Sequence, residues 1–365
     1  MSYFDDVVKS VDDARFNKYN CIPLGFERFE DDLPGIIKEN YTLVTASSGI
    51  GKSKFALAKY IITPFEFVTT QETDIDVKIF AFLLEESKQK FYLSILSYLL
   101  FKKYDVDLSV KQLKSINKHK VVTDDIIGKM KSFDKWFEKF EAKVEIIDNI
   151  RNPFGIYKTV RTYCQAVGKE ETEKRIVEGV ERDVKTYKPN NPNQYVIKVT
   201  DNINLLHPEK NKETGESMNL HQAMSKFSND YCLTMRDYYK CSIVNIQQQE
   251  AAKEKQEYYK GQSIESKLEP SLDGLGDNKL IQRDANEVLG LFAPDRYEIR
   301  QHRGYNIMKM QDNYRSLIIL KSRDGEANAR IGLYFNGKVN EFIELPPKED
   351  FEKDPSLYDK ILKKK

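Results

Sequence analysis

The stretch Ala46-Ser47-Ser48-Gly49-Ile50-Gly51-Lys52-Ser53 constrains this chain more than any other. It matches the phosphate-binding loop pattern, with Ala46 where the strict form has glycine. Its flanks match as well. Tyr41 to Thr45 is a β-branched strand candidate, and Lys54 to Ile61 a helix candidate. Gly49 and Gly51 let the backbone curl so that the N–H groups from Ser47 to Ser53 converge. The helix N-terminus that follows adds partial positive charge. Lys52 would reach the β- and γ-phosphates, and the Ser53 hydroxyl would ligate Mg²⁺. A glycine turn of chance fit is the bland alternative. The strand before it and the helix after it argue against that.

Composition removes other classes. The formal net charge is +1 over 365 residues, so no global positive field points to nucleic acid, and any such partner must meet local patches. Cys21, Cys164, Cys232 and Cys241 show no C-x-x-C spacing and no pairing with the four histidines, which argues against zinc and a disulfide framework. The N-terminus is acidic and lacks a signal peptide's basic and apolar regions. The apolar-looking run Phe91 to Phe101 is too short to span a bilayer. The expectation is a soluble, cytoplasmic protein with no membrane partner, in a bacterial cell or phage-infected host.

Along the chain, Phe4, Val7, Val8 and Val11 give Tyr3 to Arg15 the pattern of an amphipathic helix. It packs on its own domain or docks on a neighbouring subunit, and both readings stay open. Val77 to Leu84, Val144 to Ile147, Tyr195 to Asp201 and Ser242 to Gln247 read as further core strands. Ser87 to Phe101, Pro153 to Val167 and Leu220 to Tyr239 read as helices, and Val110 to Phe140 as a run of short charged ones. Lys198 is an oddity within its strand, since core strands of parallel sheets are usually apolar. Residues 168–193 are highly charged, end in Pro-Asn-Asn-Pro-Asn, and read as an inserted exposed segment. Glu287 to Ala293, Ile307 to Gln311, Ser316 to Lys321 and Ala329 to Asn336 are strand candidates near the end. Strands alternating with helices, then clustering, predict an α/β fold: a mainly parallel sheet, antiparallel C-terminal strands and a helical insertion. The expected division is an N-terminal arm (1–20), one large domain (21–345) and a charged, mobile C-terminal tail (346–365).

Triphosphate hydrolysis needs a metal anchor, a group that orients water, and positive charge near the γ-phosphate. Asp201 ends a core strand and is the expected Mg²⁺ anchor. A surface aspartate capping the next turn is the alternative. Glu85 ends another core strand and is the expected water-polarising carboxylate, with Glu86 its competitor. Gln247 ends a third strand and is the expected γ-phosphate sensor, or a structural amide.

From Ile22 to Phe342 the chain resembles the ATPase domain of DnaB-type replicative helicases, a branch of the RecA-like fold. Ile22-Pro23-Leu24-Gly25-Phe26 resembles that family's entry segment, and Phe82-Leu83-Leu84-Glu85 its strand bearing the catalytic glutamate. Val199-Thr200-Asp201 resembles its second Mg²⁺ motif, and Val244-Asn245-Ile246-Gln247 its sensor strand. Ile281 to Asn286 is similar to the motif after the second DNA-facing loop. Ile319 to Gly325 resembles the lysine-x-arginine segment, which implies that Lys321 and Arg323 act on the adjacent subunit's nucleotide. The resemblance implies a homo-hexameric ring with ATP at its interfaces, moving on single-stranded DNA to unwind duplex in replication, with primase or a loader as partner.

The resemblance also has gaps. Residues 1–20, which stand before the entry segment, are not expected to supply a counterpart of the family's collar-forming N-terminal domain. Where the family has Arg-Glu-Ser-Gly, this chain has Gly276-Asp277-Asn278-Lys279. Candidate DNA contacts fall on the loops after the Asp201 and Gln247 strands: Lys210, Lys212, Lys253, Lys255, Lys260 and Lys279, with Tyr258 and Tyr259 for base stacking. Each lysine alone reads equally as a solubilising charge. Two other functions remain: a recombinase-like, clock-type or remodelling ATPase of the same fold, and a non-enzymatic ATP-binding accessory or helicase loader.

Overall fold

The computed structural model describes residues 3–117, 119, 121–177, 180–210, 215–249, 258–259, 262–263, 268–275 and 279–363. Helix α1 (Tyr3–Ala14) comes first, and strand β1 (Tyr41–Ala46) opens the core. Helices α2 (Lys52–Ala56) and α3 (Thr63–Thr70) are joined by a π-helical turn over Leu57–Ile62. Strand β2 (Asp76–Leu83) leads to α4 (Lys88–Tyr104) and to the short helices α5 (Val110–Leu113), α6 (Asp124–Lys131) and α7 (Asp134–Lys143). Strand β3 (Val144–Ile147) and helix α8 (Pro153–Ala166) follow. A ribbon of β4 (Gly168–Val177) and β5 (Val180–Pro189) precedes β6 (Gln194–Asp201).

Helices α9 (Leu220–Lys226) and α10 (Leu233–Asp237) flank a second π-helical stretch and lead into β7 (Ser242–Gln248). Two two-residue pairs follow at different points, β8 (Tyr258–Tyr259) with β9 (Gln262–Ser263), and β11 (Gln301–His302) with β12 (Tyr305–Asn306). Between them lie α11 (Lys279–Asp284) and β10 (Glu287–Phe292). The chain continues through α12 (Ile307–Met310), β13 (Tyr314–Lys321), β14 (Arg330–Asn336), β15 (Glu341–Glu344), α13 (Lys348–Lys353) and α14 (Leu357–Lys363).

The main sheet has the order β15-β14-β13-β10-β1-β7-β6-β2-β3. Its pairs from β10 through β3 are parallel, and those joining β10, β13, β14 and β15 are antiparallel. Parallel strands need crossovers, and helices supply them on both faces. Alternation divides β1 between the two: Val44 and Ala46 pack with Phe55, Ile61 and Ile95, whereas Tyr41 and Leu43 pack with Ile156, Val160 and Phe227. Among the described residues no helix is long and apolar enough to cross a membrane.

Three local expectations change. Ile307 to Gln311 is a helix, not a strand. Asn306 caps it by accepting from the Lys309 N–H at 3.2 Å, and Ile307 and Met310 bury one face. Short apolar runs fit either period. Within the segment expected to be an exposed insertion, residues 168–177 and 180–189 pair as two ten-residue strands, with Tyr187 buried at their base and donating to the Cys164 carbonyl at 2.9 Å. The tail is two helices whose Phe351 and Tyr358 pack with Tyr305 and Tyr314. As for α1, Phe4, Val7, Val8 and Val11 are all exposed, so its apolar stripe does not pack on its own domain.

Lys198 is fully buried. Its ammonium donates to Thr200 Oγ1 at 3.0 Å and Asn245 Oδ1 at 2.5 Å, and lies 4.5 Å from the centre of the Phe227 ring. Asn245 donates onward to the Tyr41 hydroxyl at 2.8 Å, and Tyr41 meets Ser228 at 3.2 Å. Burial pushes the Lys198 pKa down, while the neighbouring Cys232 opposes this. A buried cation that loses an acceptor is costly. Asn245→Leu is therefore expected to destabilise the protein by about 2–4 kcal/mol. Urea unfolding of the two proteins at one pH measures the difference.

Candidate functional site

The loop leaves β1 at the carboxyl edge of the parallel strands and re-enters the fold as α2. Gly49 and Gly51 hold φ of 78° and 109°, conformations that other residues rarely adopt. Gly51 is also pressed from outside, since a Cβ there would stand 3.2 Å from the Phe335 ring. Lys52, almost buried, donates to the Ser47 carbonyl at 2.8 Å. Ile50 turns its side chain into the core, so its part in the loop is played by backbone.

Strand register brings the acids to this loop. Leu83 on β2 lies opposite Asp201 on β6, and the Leu84 N–H donates to the Asp201 carbonyl at 2.6 Å. Glu85 therefore stands just beyond that edge, where it accepts from Asn202 Nδ2 at 3.4 Å. A cavity of ≈ 540 Å³ is lined by Gly49, Gly51, Lys52, Ser53, Glu85, Glu86 and Asp201. That suits a nucleotide. Glu86 also pairs with Lys90 one turn along α4.

Asp201 is 7% exposed. Burial raises its pKa to about 6; hydrogen bonding to Ser53 and the charge of Lys52 oppose this, and Glu85 and Glu86 add to it. Its Oδ1 is buried without a hydrogen-bond partner. A carboxylate held next to a serine hydroxyl, with one oxygen unsatisfied, fits a divalent cation.

Gln247 is not in the cavity. It is buried on the opposite face of β7 and donates to the Leu275 carbonyl at 3.2 Å. Gln248, one residue on, lines the cavity and lies opposite Ala46 in the register. Period-two alternation makes this the necessary result. With Gln247 turned to one face of β7, the amide that reaches the cavity is that of Gln248.

Lys321 and Arg323 lie at the other edge of the sheet. Val288, near the start of β10, is opposite Lys321, and Thr42, near the start of β1, is opposite Glu287. The length of β1 separates them from the loop, roughly 15 Å at the usual rise. Lys321 donates to the carbonyls of Gln282, Arg283 and Ala285 at 2.6, 3.1 and 2.7 Å, closing the end of α11. Arg323 is exposed and donates to the Arg283 carbonyl at 2.9 Å. Burial, then the charge of Arg323, depresses the Lys321 pKa; Asp284 opposes this and Arg236 adds to it.

Of the candidate DNA contacts, Lys210 is exposed and bridges to Ser217. Lys212, Lys253, Lys255 and Lys260 lie outside the described residues, as do the side chains of Lys279, Tyr258 and Tyr259. Residues that sequence reasoning missed come from the antiparallel strands and the turn joining β14 to β15. Lys338 and Asn340 line the cavity, and Arg315 and Phe335 back the loop.

A phosphate loop on this sheet, with helices on both faces and antiparallel strands beyond it, defines a RecA-like P-loop NTPase core. Two solved structures share it. One is a DnaB-like replicative helicase described with its interactions with primase: TM-score 0.65, 18% identity, covering 94% of this chain and 66% of that one. The other is described as an ATPase domain: TM-score 0.67, 18% identity, covering 94% of this chain and 99% of that one. At that identity the likeness establishes the fold alone. The sequence matches no family model and no curated protein.

The Asp201 carboxyl makes a prediction about stability. Its pKa is raised, so the native state holds a proton more tightly than the unfolded chain, and stability is lost as pH rises from about 4 to about 6. Without nucleotide or metal, Asp201→Asn should be more stable than the native protein by about 2–3 kcal/mol at pH 8. The gap should close as pH falls towards 4. Denaturant melts across that range measure it.

Proposed function

We infer that this chain is an ATP hydrolase of the DnaB-helicase type, working as a ring of identical subunits on single-stranded DNA. The observation that carries this reading is the separation within one sheet. The cradle sits at one edge, and the exposed guanidinium of Arg323 at the other, about a strand length away. A chain built this way does not bring Arg323 to its own nucleotide. A neighbouring copy would.

In this reading, Lys52 and the loop N–H groups from Ser47 to Ser53 hold the triphosphate, and Ser53 and Asp201 hold Mg²⁺. The metal, when bound, supplies charge neutralisation at the phosphate oxygens. Glu85 orients and polarises the attacking water, and Gln248 contacts the γ-phosphate in place of Gln247. Arg323 of the adjacent subunit stabilises the charge that develops there, while Lys321, at the end of β13, holds the last carbonyls of α11 against which Arg323 also rests. The exposed stripe of α1 (Phe4, Val7, Val8, Val11) docks on that neighbour. The loops after β6 and β7, with Lys210 the described lysine among them, face DNA. Unwinding at a replication fork is the work such a ring would do, with primase or a loader as the kind of partner it would meet.

The test is complementation in the assembled protein. Arg323→Ala should cut single-strand-stimulated ATP turnover by about a thousandfold while nucleotide binding persists. Lys52→Ala should be inactive because it no longer holds nucleotide. Mixing the two should restore turnover, because an intact cradle then faces an intact Arg323. No recovery on mixing would place the finger elsewhere. Electron micrographs that show an open filament in place of a closed ring would favour the recombinase-like reading. Strand separation on forked DNA, with ATP present, reads the helicase activity directly.

A further inference from the structure

We propose that Arg315 is a positioning residue for the nucleotide, setting the orientation of the phosphate-loop peptide between Ile50 and Gly51. This rests on reading the loop as an ATP site. Arg315 is on β13, is 1% exposed, and is the largest fully buried side chain among the described residues. Its Nε donates to the Ile50 carbonyl at 2.7 Å. Its Nη1 donates to the carbonyls of Asp312 and Tyr314, both at 2.8 Å, and its Nη2 to Asp312 Oδ1 at 2.8 Å. The guanidinium lies 4.4 Å from the centre of the Phe335 ring. That same ring is the surface against which Gly51 packs.

Burying a guanidinium is expensive, and its carboxylate partner, Asp312, is 82% exposed and so weakly compensating. An apolar residue would fill the space at lower cost. What an apolar residue cannot do is hold the Ile50 carbonyl. The peptide is planar and trans, so its C=O and N–H point opposite ways. Drawing the Ile50 carbonyl outward to Arg315 turns the Gly51 N–H inward, to the side where a phosphate oxygen would accept it. Arg296 does the same to the preceding turn, donating to the Ser48 carbonyl and so fixing the Gly49 N–H. The donors of the cradle are thus aimed from behind before any ligand arrives, which is where electrostatic preorganisation is most effective.

The experiment compares nucleotide affinity in the full-length protein, using a fluorescent non-hydrolysable ATP analogue with Mg²⁺, alongside KM and kcat for ATP. Arg315→Met should weaken analogue binding and raise KM by about tenfold, the loss expected for one well-aimed bond to a charged ligand, with kcat reduced less. Arg315→Lys keeps a donor and should recover part of that loss. Phe335→Leu removes the ring that backs both Arg315 and Gly51, and should shift KM in the same direction; it stands in if Arg315→Met does not fold. A merely structural arginine would lower the melting temperature and leave the affinity of the folded protein unchanged. That result in both Arg315→Met and Phe335→Leu would overturn the proposal. Lys52→Ala separates the two levels. If it binds the analogue as the native protein does, the loop is not the ATP site and the proposal falls with it. If it loses binding while the other variants keep theirs, the role of Arg315 alone is wrong.

Discussion

The site depends on the register of four parallel strands. Ala46 on β1 is opposite Gln248 on β7, and Leu83 on β2 is opposite Asp201 on β6. These pairings bring the ends of the strands level, so that the loop, the buried aspartate, the Gln248 amide and Glu85 open into one cavity. A slip of one residue in any pair would turn a side chain to the other face of the sheet. Gln247 and Gln248 illustrate the consequence. They are chemically identical neighbours, yet one is a buried donor to the Leu275 carbonyl and the other a cavity wall.

That register is itself secured by polar contacts of an unusual kind for a sheet covered on both faces. Lys198, Asn245 and Tyr41 lie on adjacent strands and join β6, β7 and β1 side by side, with Ser228 and Asp284 continuing the chain into the helices. Apolar side chains would pack at similar volume and resist sliding only through shape. A buried amide that must meet both an ammonium and a phenol is satisfied in a single alignment. The network ends beside α11, to whose last carbonyls Lys321 donates. The centre of the sheet and the edge that bears Arg323 therefore belong to one connected framework.

How much of this was legible in the sequence follows from range. The phosphate loop and its flanking strand and helix are local, and their residues stood in order along the chain. So did Asp201 and Glu85, because a strand end is a short-range property. Gln248 was hidden because two adjacent glutamines look alike in sequence, and only the register decides which of them faces the loop. Arg315 and Phe335 had no local signature. They reach the loop only because β13 and β14 return antiparallel beside β10, a pairing made 265 positions from Ile50. The ribbon of β4 and β5 was masked by its charge, since two strands that stand in water on both faces lack the apolar alternation that marks a half-buried strand.

Two charged groups at and behind the loop are held at a cost to the fold. Asp201 is held where its charge is disfavoured, with one oxygen unsatisfied, and Arg315 is held where its desolvation is poorly offset. Neither arrangement stabilises the resting protein as well as an apolar pair would. In the proposed reading both would become favourable once phosphate and a divalent ion bind, because the loop donors are already aimed and one oxygen of the Asp201 carboxylate lacks a partner. In the ring reading, the same logic extends across the subunit boundary. Arg236 is paired with Asp237 and Lys321 is bound to backbone carbonyls, so Arg323 is the exposed cation of this group that a neighbour's triphosphate would meet.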